Sequence, residues 1–292
     1  MANTGNAVIN ADIFHAAMAQ FQDLLVQNEQ LLNDLNVYPV PDSDTGSNSL
    51  QTLKAGLSSS PGKSEDLSEL VLAIAAGASK SAMGNSGVIL AQYLQGLAQG
   101  LTPAANCSPK EWQRALQQAA TVARQSVLTP AEGTMLTVAD AAARIQAQPD
   151  FKSYYEEIQS AVRTAVIETQ NLLPELKAAE VVDAGALVIS YFHDSFALTF
   201  GLTVSSLDVA GPKLVVTSYS GPMFELMFSV VCAGSVKSEI ETGISSLGES
   251  VSISGVEPNF NFHIHTDEPH LVIESFEDKV EITNIRISEL GN

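Results

Sequence analysis

Asp42 and Asp44 sit one residue apart in the run Asn36-Val-Tyr-Pro-Val-Pro-Asp-Ser-Asp-Thr-Gly-Ser-Asn48. Two prolines stiffen the chain before them, and a glycine with small hydroxyl and amide side chains follows. An Asp-x-Asp pair of this kind gathers hard oxygen ligands, which suit Mg²⁺ and, through it, phosphate. An EF-hand is excluded, because the twelfth position counted from Asp42 is Leu53 rather than a bidentate Glu. A phosphoryl-accepting aspartate is disfavoured, since Pro39-Val-Pro41 is no apolar strand. Two readings remain open from the residues alone: a metal-binding loop, or a solvated Asp/Ser/Asn turn.

Three further segments have related chemistry. Gly84-Asn-Ser-Gly87 opens an apolar helix, and free backbone N–H groups at such a start form an anion site or a plain cap. Glu132-Gly-Thr-Met-Leu-Thr137 and Val181-Val-Asp-Ala-Gly185 repeat the theme of a glycine with a hydroxyl or an acid at a helix entry. Each alone reads as a helix start. In an up-and-down bundle alternate loops fall at one end, so the four together could hold Mg²⁺ on carboxylates and phosphates on helix N-termini.

The elements that must position these segments follow from periodicity. Residues 1–203 read as about eight helices with essentially no strand alternation. Ile13, Phe14, Ala17, Met18, Phe21, Leu24 and Leu25 recur at helical spacing behind a capping Asn10. Leu50, Leu53 and Leu57 begin a second helix, Ser64-Glu-Asp a third, and Ser108-Pro-Lys-Glu111 has the capping-box pattern. Further helices are expected near 84–100, 134–148, 151–172 and 184–200. Ala73, Ala75, Ala76, Gly77 and Ala78 predict close helix contact. After Leu202 the pattern changes. Lys213–Ser218 reads as a strand. Strands near 223–232, 249–255, 259–266 and 280–287, with helices near 236–246 and 269–277, give the order β-α-β-β-α-β of a ferredoxin-like unit. The expected architecture is an all-α eight-helix barrel or bundle over 1–203, followed by a small α+β domain over 212–292.

The chain has 292 residues, 33 acidic against 14 Lys and Arg, for a net charge of −19. That excludes nucleic acid and anionic membrane surfaces as partners, but not a nucleotide whose charge a metal neutralises. Two cysteines, no basic-then-apolar leader and no apolar run approaching the roughly 20 residues of a membrane span predict a soluble cytoplasmic protein.

Taken together, Leu35-Asn-Val-Tyr-Pro-Val-Pro-Asp-Ser-Asp-Thr-Gly46, Gly84-Asn-Ser-Gly-Val-Ile-Leu90, Glu132-Gly-Thr-Met-Leu-Thr-Val138 and Val181-Val-Asp-Ala-Gly185 resemble, in order and spacing, the bacterial fatty acid kinase catalytic subunit. Its N-terminal domain is similar to the nucleotide-binding L subunit of dihydroxyacetone kinase. Phe262-His-Ile-His-Thr-Asp-Glu-Pro269 resembles a segment of that family's middle domain. The resemblance implies an eight-helix barrel binding ATP or ADP with two Mg²⁺ ions at one end. Asp42 and Asp44 would be the catalytic pair and, with Asn36, the Mg²⁺ ligands. Thr45, Ser47, Asn48, Asn85, Ser86, Gly87, Gly133, Thr134, Met135, Asp183 and Gly185 would bind the nucleotide. The acceptor implied is a fatty acid carried by a separate lipid-binding partner, and a homodimer is among the expected assemblies. In the family the His pair joins a cysteine to bind zinc. Here His263 and His265 remain, Met223 stands in the cysteine's place, Cys232 reads as facing a core, and Asp267 is the expected substitute. Other departures are Ser43 for a glycine, Met83 for an arginine, Ala186 for a glycine, and no C-terminal domain. They leave two alternatives beside the fatty acid kinase: a dihydroxyacetone kinase of the L type, and a regulator that binds nucleotide without turnover.

Overall fold

The computed structural model describes residues 8–60, 66–207, 209, 211–212 and 221–290. The helical part begins with a two-residue strand β1 (Ile9–Asn10), then α1 (Ala11–Asp34), α2 (Thr45–Ser59), α3 (Leu67–Lys80) and α4 (Gly84–Leu101). A second short strand β2 (Asn106–Cys107) pairs antiparallel with β1, and α5 (Pro109–Gln125), α6 (Met135–Arg144), α7 (Phe151–Thr169), α8 (Pro174–Ala179) and α9 (Ala184–Thr199) complete it. The caps behave as their residues dictate. Asn10 Oδ1 accepts from Ile13 N at 2.9 Å, and Ser108 and Glu111 form a full capping box behind Pro109.

Three expectations change. Among the described residues there are nine helices before the sheet rather than eight, because Pro174 starts a six-residue helix that periodicity cannot reveal at that length. The β1–β2 pair interrupts a region expected to lack strands. The run Thr45–Asn48 is the first turn of α2 and not a loop. Asn33 Oδ1, on α1, accepts from Gly46 N at 2.8 Å and Ser47 N at 3.2 Å, so the first turn is capped from a distant helix. The strand expected at 213–218 lies outside the described residues.

α9 is apolar on nearly every side and almost wholly buried, as a central helix must be. It packs against α1, α6 and α7. Phe14, Phe21, Tyr93, Trp112, Tyr155, Phe192 and Phe196 form the aromatic centre around it, with the Trp112 indole N–H donating to Tyr155 Oη at 2.9 Å. α2 and α3 meet through two glycines. A Cβ on Gly56 would lie 2.7 Å from Ile74 O, and one on Gly77 2.8 Å from Ala55 O, so the backbones approach as closely as glycine allows. No helix of the described residues is long and apolar enough to cross a membrane.

The remaining elements are β3 (Phe224–Val231), α10 (Gly234–Ile244), β4 (Glu249–Val256), β5 (Asn259–Thr266), α11 (Pro269–Glu274) and β6 (Ile282–Glu289). They make an antiparallel sheet in the order β4-β5-β3-β6. Strand alternation divides its faces. Leu226, Phe228, Val230, Phe260, Phe262 and Ile264 form a second core with α10 and α11, against which Cys232 packs. Glu225, Met227, Ser229, Asn261, His263 and His265 alternate with these and so occupy the other face, which meets the helices. There the free edge of β4 pairs with the segment after α5: Leu128 N donates to Val251 O at 3.0 Å, and Ile253 N to Ser126 O at 2.9 Å.

Candidate functional site

Between the sheet face and the helices lies a pocket of about 120 Å³. Asn36, Asp42, Asp44 and Thr45 come from the α1–α2 connection, and Gly84, Asn85 and Ser86 from the start of α4. Thr134 and Met135 come from the start of α6, Asp183 and Gly185 from the start of α9, and Glu225, Ser250, His263 and His265 from the sheet. The four sequence segments therefore reach one cavity. Ser47, Asn48, Gly87 and Gly133 stand behind its wall. Ser47 Oγ donates to Glu29 at 2.9 Å, and Asn48 Nδ2 to Asp44 Oδ2 at 2.7 Å. Gly87 packs on Thr52, and Gly133 on Leu172.

Asn36 is buried with both ends of its amide engaged. Its Nδ2 donates to Val40 O at 2.9 Å and to Asp42 Oδ1, while its Oδ1 accepts from the Thr45 hydroxyl. It fixes the Asp42 carboxylate and keeps one lone pair on Oδ1. Burial, then the charges of Asp44 and Glu225, push the Asp42 carboxyl up to about 7. Burial also raises Asp44, against the hydrogen bond from Asn48. Ser43 between them has φ of 57°, in the left-handed region that favours glycine. Asp183 caps α9, accepting from Ala186 N at 2.6 Å; burial nevertheless raises its carboxyl to about 7.

α4 differs from its neighbours at the pocket. Thr134 caps α6 and Asp183 caps α9 with side chains, whereas Met83 gives α4 no side-chain cap. Its first-turn N–H groups and the positive end of its dipole are left for an anion. The Ser86 hydroxyl beside them is buried and has no hydrogen-bond partner. The pocket walls carry four acidic side chains and no Lys or Arg among the described residues. Mutually raised carboxylates next to unsatisfied donors fit metal cations bridging to phosphate, and do not fit a bare polyphosphate.

On the sheet, His263 and His265 share a face with ring centroids 4.9 Å apart. Glu225 lies directly across from His265, and one ligand atom each from Glu225, His263 and His265 falls within 4.8 Å of the others. His263 Nε2 is 2.9 Å from Glu225 Oε1, and its Nδ1 is 3.1 Å from Ser250 O. A carbonyl at Nδ1 directs Nε2 to the ligand side, the arrangement of metal-bound histidines. Burial lowers His265 to about 3, so it stays neutral, and its Nδ1 has no partner. Burial opposes the Glu225 charge, but the His263 hydrogen bond and both imidazoles hold its carboxyl below the usual range. Asp267, the expected substitute, is instead engaged by the Met223 backbone N–H at 2.8 Å, and Glu225 takes that place.

Sequence reasoning missed Glu225, Tyr38 and Ser250. Alternation along β3 put Glu225 on the histidine face, which is the one signal that could have found it. The comparisons with known proteins agree with this layout. Residues 221–292 match the FakA-like middle domain of fatty acid kinases. Protein YloV of Bacillus subtilis is 28% identical over 91% of this chain and 53% of its own length. A Staphylococcus epidermidis protein is 27% identical over 97% of this chain and 55% of its own. The chain thus spans about half the length of the curated relatives it matches. A crystal structure of dihydroxyacetone kinase from C. freundii with AMP-PNP and Mg²⁺ aligns at a TM-score of 0.47 and 21% identity, over 64% of this chain and 33% of that one. The DAK2 domain model matches residues 39–198, more than half of the chain, and the protein belongs to the DAK2-domain family.

Proposed function

We propose that this chain is the nucleotide-binding, catalytic part of an ATP-dependent kinase, and that its acceptor is a fatty acid presented by a separate lipid-binding protein. One observation carries the kinase reading: Asp42, Asp44 and the uncapped start of α4 meet in one pocket. Family membership supports it, and the match to a fatty acid kinase-like middle domain supports the acceptor. The element order of the small domain supports a ferredoxin-like reading of it.

Asp42 and Asp44 would hold two Mg²⁺ ions, with Asn36 keeping Asp42 in place. Bound there, Mg²⁺ supplies the positive charge that lets a triphosphate share a pocket with carboxylates. The first-turn N–H groups of α4, with Asn85 and Ser86, would receive phosphate oxygens. Thr45, Thr134, Met135, Asp183 and Gly185 would line the rest. At 120 Å³ the pocket has room for ions and phosphate groups, well below the roughly 300–1,000 Å³ of cavities that enclose a whole ligand, so the nucleoside would extend beyond it. A carboxylate acceptor is already ionised and needs no general base. Glu225, His263 and His265 would hold a separate zinc ion.

The test incubates the chain with radiolabelled ATP, Mg²⁺ and a fatty acid on its carrier protein, with dihydroxyacetone as the parallel acceptor. Labelled acyl phosphate supports the reading. Labelled dihydroxyacetone phosphate replaces the acceptor, and tight Mg²⁺-dependent binding without transfer makes the chain a regulator. Nucleotide binding that survives Asp42→Asn with Asp44→Asn overturns the metal assignment.

A further inference from the structure

The same sheet face forms a second cavity with the helices, of about 960 Å³, at the end away from the histidines. Its walls come from α2, the end of α3, the start of α4, and strands β3 to β6. Its charge is the reverse of the first pocket's. Lys54, Lys80 and Arg286 line it, and among the described residues no Asp or Glu does. In a chain with 33 acidic residues against 14 basic ones, that separation is unusual. None of the three cations forms an ion pair among the described residues, whereas Arg124, Lys237 and Lys279 all do.

Other features mark the cavity as a place for a ligand. Ser79, 6% exposed, lines it with a hydroxyl that has no hydrogen-bond partner. The polar wall is fixed in advance. Asn261 Nδ2 donates to Ser79 O at 2.8 Å, Ser229 Oγ donates to Asn261 Oδ1 at 2.7 Å, and Asn284 Nδ2 donates to Ser229 Oγ at 3.2 Å. Val231 and Val256, 60% and 49% exposed, add apolar surface. The volume falls within the roughly 300–1,000 Å³ range of small-molecule sites. Three unpaired cations exceed what one carboxylate needs and match a phosphate monoester, which carries about two negative charges at neutral pH.

We propose that this interdomain cleft is a second ligand site, separate from the nucleotide pocket, for a small organic phosphate with an apolar body. The phosphate would sit among Lys54, Lys80 and Arg286, with the valines against the apolar part. The proposal is independent of the kinase reading.

Titration calorimetry on the full chain with hexyl phosphate, and separately with inorganic phosphate, tests it. Expected is saturable one-to-one binding of hexyl phosphate, at least tenfold tighter than inorganic phosphate. The Lys54→Gln/Arg286→Gln variant, its fold checked by thermal unfolding, should bind at least tenfold more weakly. The Asp42→Asn/Asp44→Asn variant should bind as the parent does. Absence of saturable binding overturns the site. So does an affinity unchanged by the cation substitutions, or one lost with the aspartates, which would put the ligand in the acidic pocket. Equal affinity for the two probes would overturn the apolar part.

Discussion

Ser252 Oγ, on β4, donates to Asn85 Oδ1, at the start of α4, across 2.9 Å. Ser252 is fully buried, and its oxygen also lies 3.4 Å from His263 Nδ1. One hydroxyl therefore joins the phosphate-facing helix start to the histidine face of the sheet. Holding Oδ1 from behind fixes which way the Asn85 amide turns. Removing the donor leaves a buried acceptor unsatisfied, at a cost of about 1–3 kcal/mol. Ser252→Ala is expected to weaken Mg·ATP binding about 5–30-fold, the range that one to two kcal/mol corresponds to. A double-mutant cycle with Asn85→Ala should show coupling of about 0.5–3 kcal/mol. Additive losses in calorimetry would show that Ser252 does not act through Asn85.

Glu225, not Asp267, completes the histidine pair. After chelation and dialysis the chain is expected to take up one zinc ion in competition with a chromophoric chelator. Glu225→Gln should lower that affinity about 10–100-fold or more, the range seen even for groups that only support a metal ligand. Asp267→Asn should leave it unchanged. Equal effects of the two substitutions would remove Glu225 from the ligand set.

Ser43 holds a left-handed backbone between the two aspartates. Such a conformation costs a non-glycine residue on the order of 1–3 kcal/mol, while glycine adds unfolded-state entropy of about 0.4–1 kcal/mol. Ser43→Gly is therefore expected to stabilise the chain by about 1 kcal/mol in urea unfolding, with Mg²⁺-dependent nucleotide binding kept. A loss of stability would mean that the serine side chain makes a contribution larger than the strain.

The parts of the site legible in the sequence are those written locally. A glycine or hydroxyl before an apolar helical run marks a helix start wherever it occurs, so all four entries were visible, and alternation in β3 and β5 exposed the sheet and the histidine face. What was not legible depends on partners distant in sequence. Thr45 begins a helix because Asn33 caps it from α1. Glu225 joins the histidines because of the β3–β5 register. Ser250 and Ser252 enter because the edge of β4 pairs with residues 126–128. The close α2–α3 contact lay between these cases: Gly77 announced a small-residue surface, but its opposite number, Gly56, has meaning only once the helices are placed.

His193 tests the helical core through pH. It is fully buried beside Phe192 and Tyr155, Tyr93 Oη lies 3.3 Å from its Nε2, and its Nδ1 has no partner. Burial pushes its pKa from 6.5 down to about 3. Between those values the unfolded chain binds a proton that the native chain does not. The stability due to a neutral His193 is therefore complete above about pH 6.5 and is lost as pH falls toward 3. Asp183 has the opposite sign. Its carboxyl is raised from 3.8 to about 7, so its favourable contribution belongs to acid and is lost as pH rises through 7. The two oppose each other over the acid range, and the parent's profile alone cannot separate them. Subtracting the unfolding free energy of His193→Gln from that of the parent isolates the histidine. The difference should fall by about 1.4 kcal/mol per pH unit below pH 6.5, while the corresponding difference for Asp183→Asn should run the other way. A flat histidine difference in urea unfolding from acid to neutral pH would show that the native core admits a charged imidazole at that position.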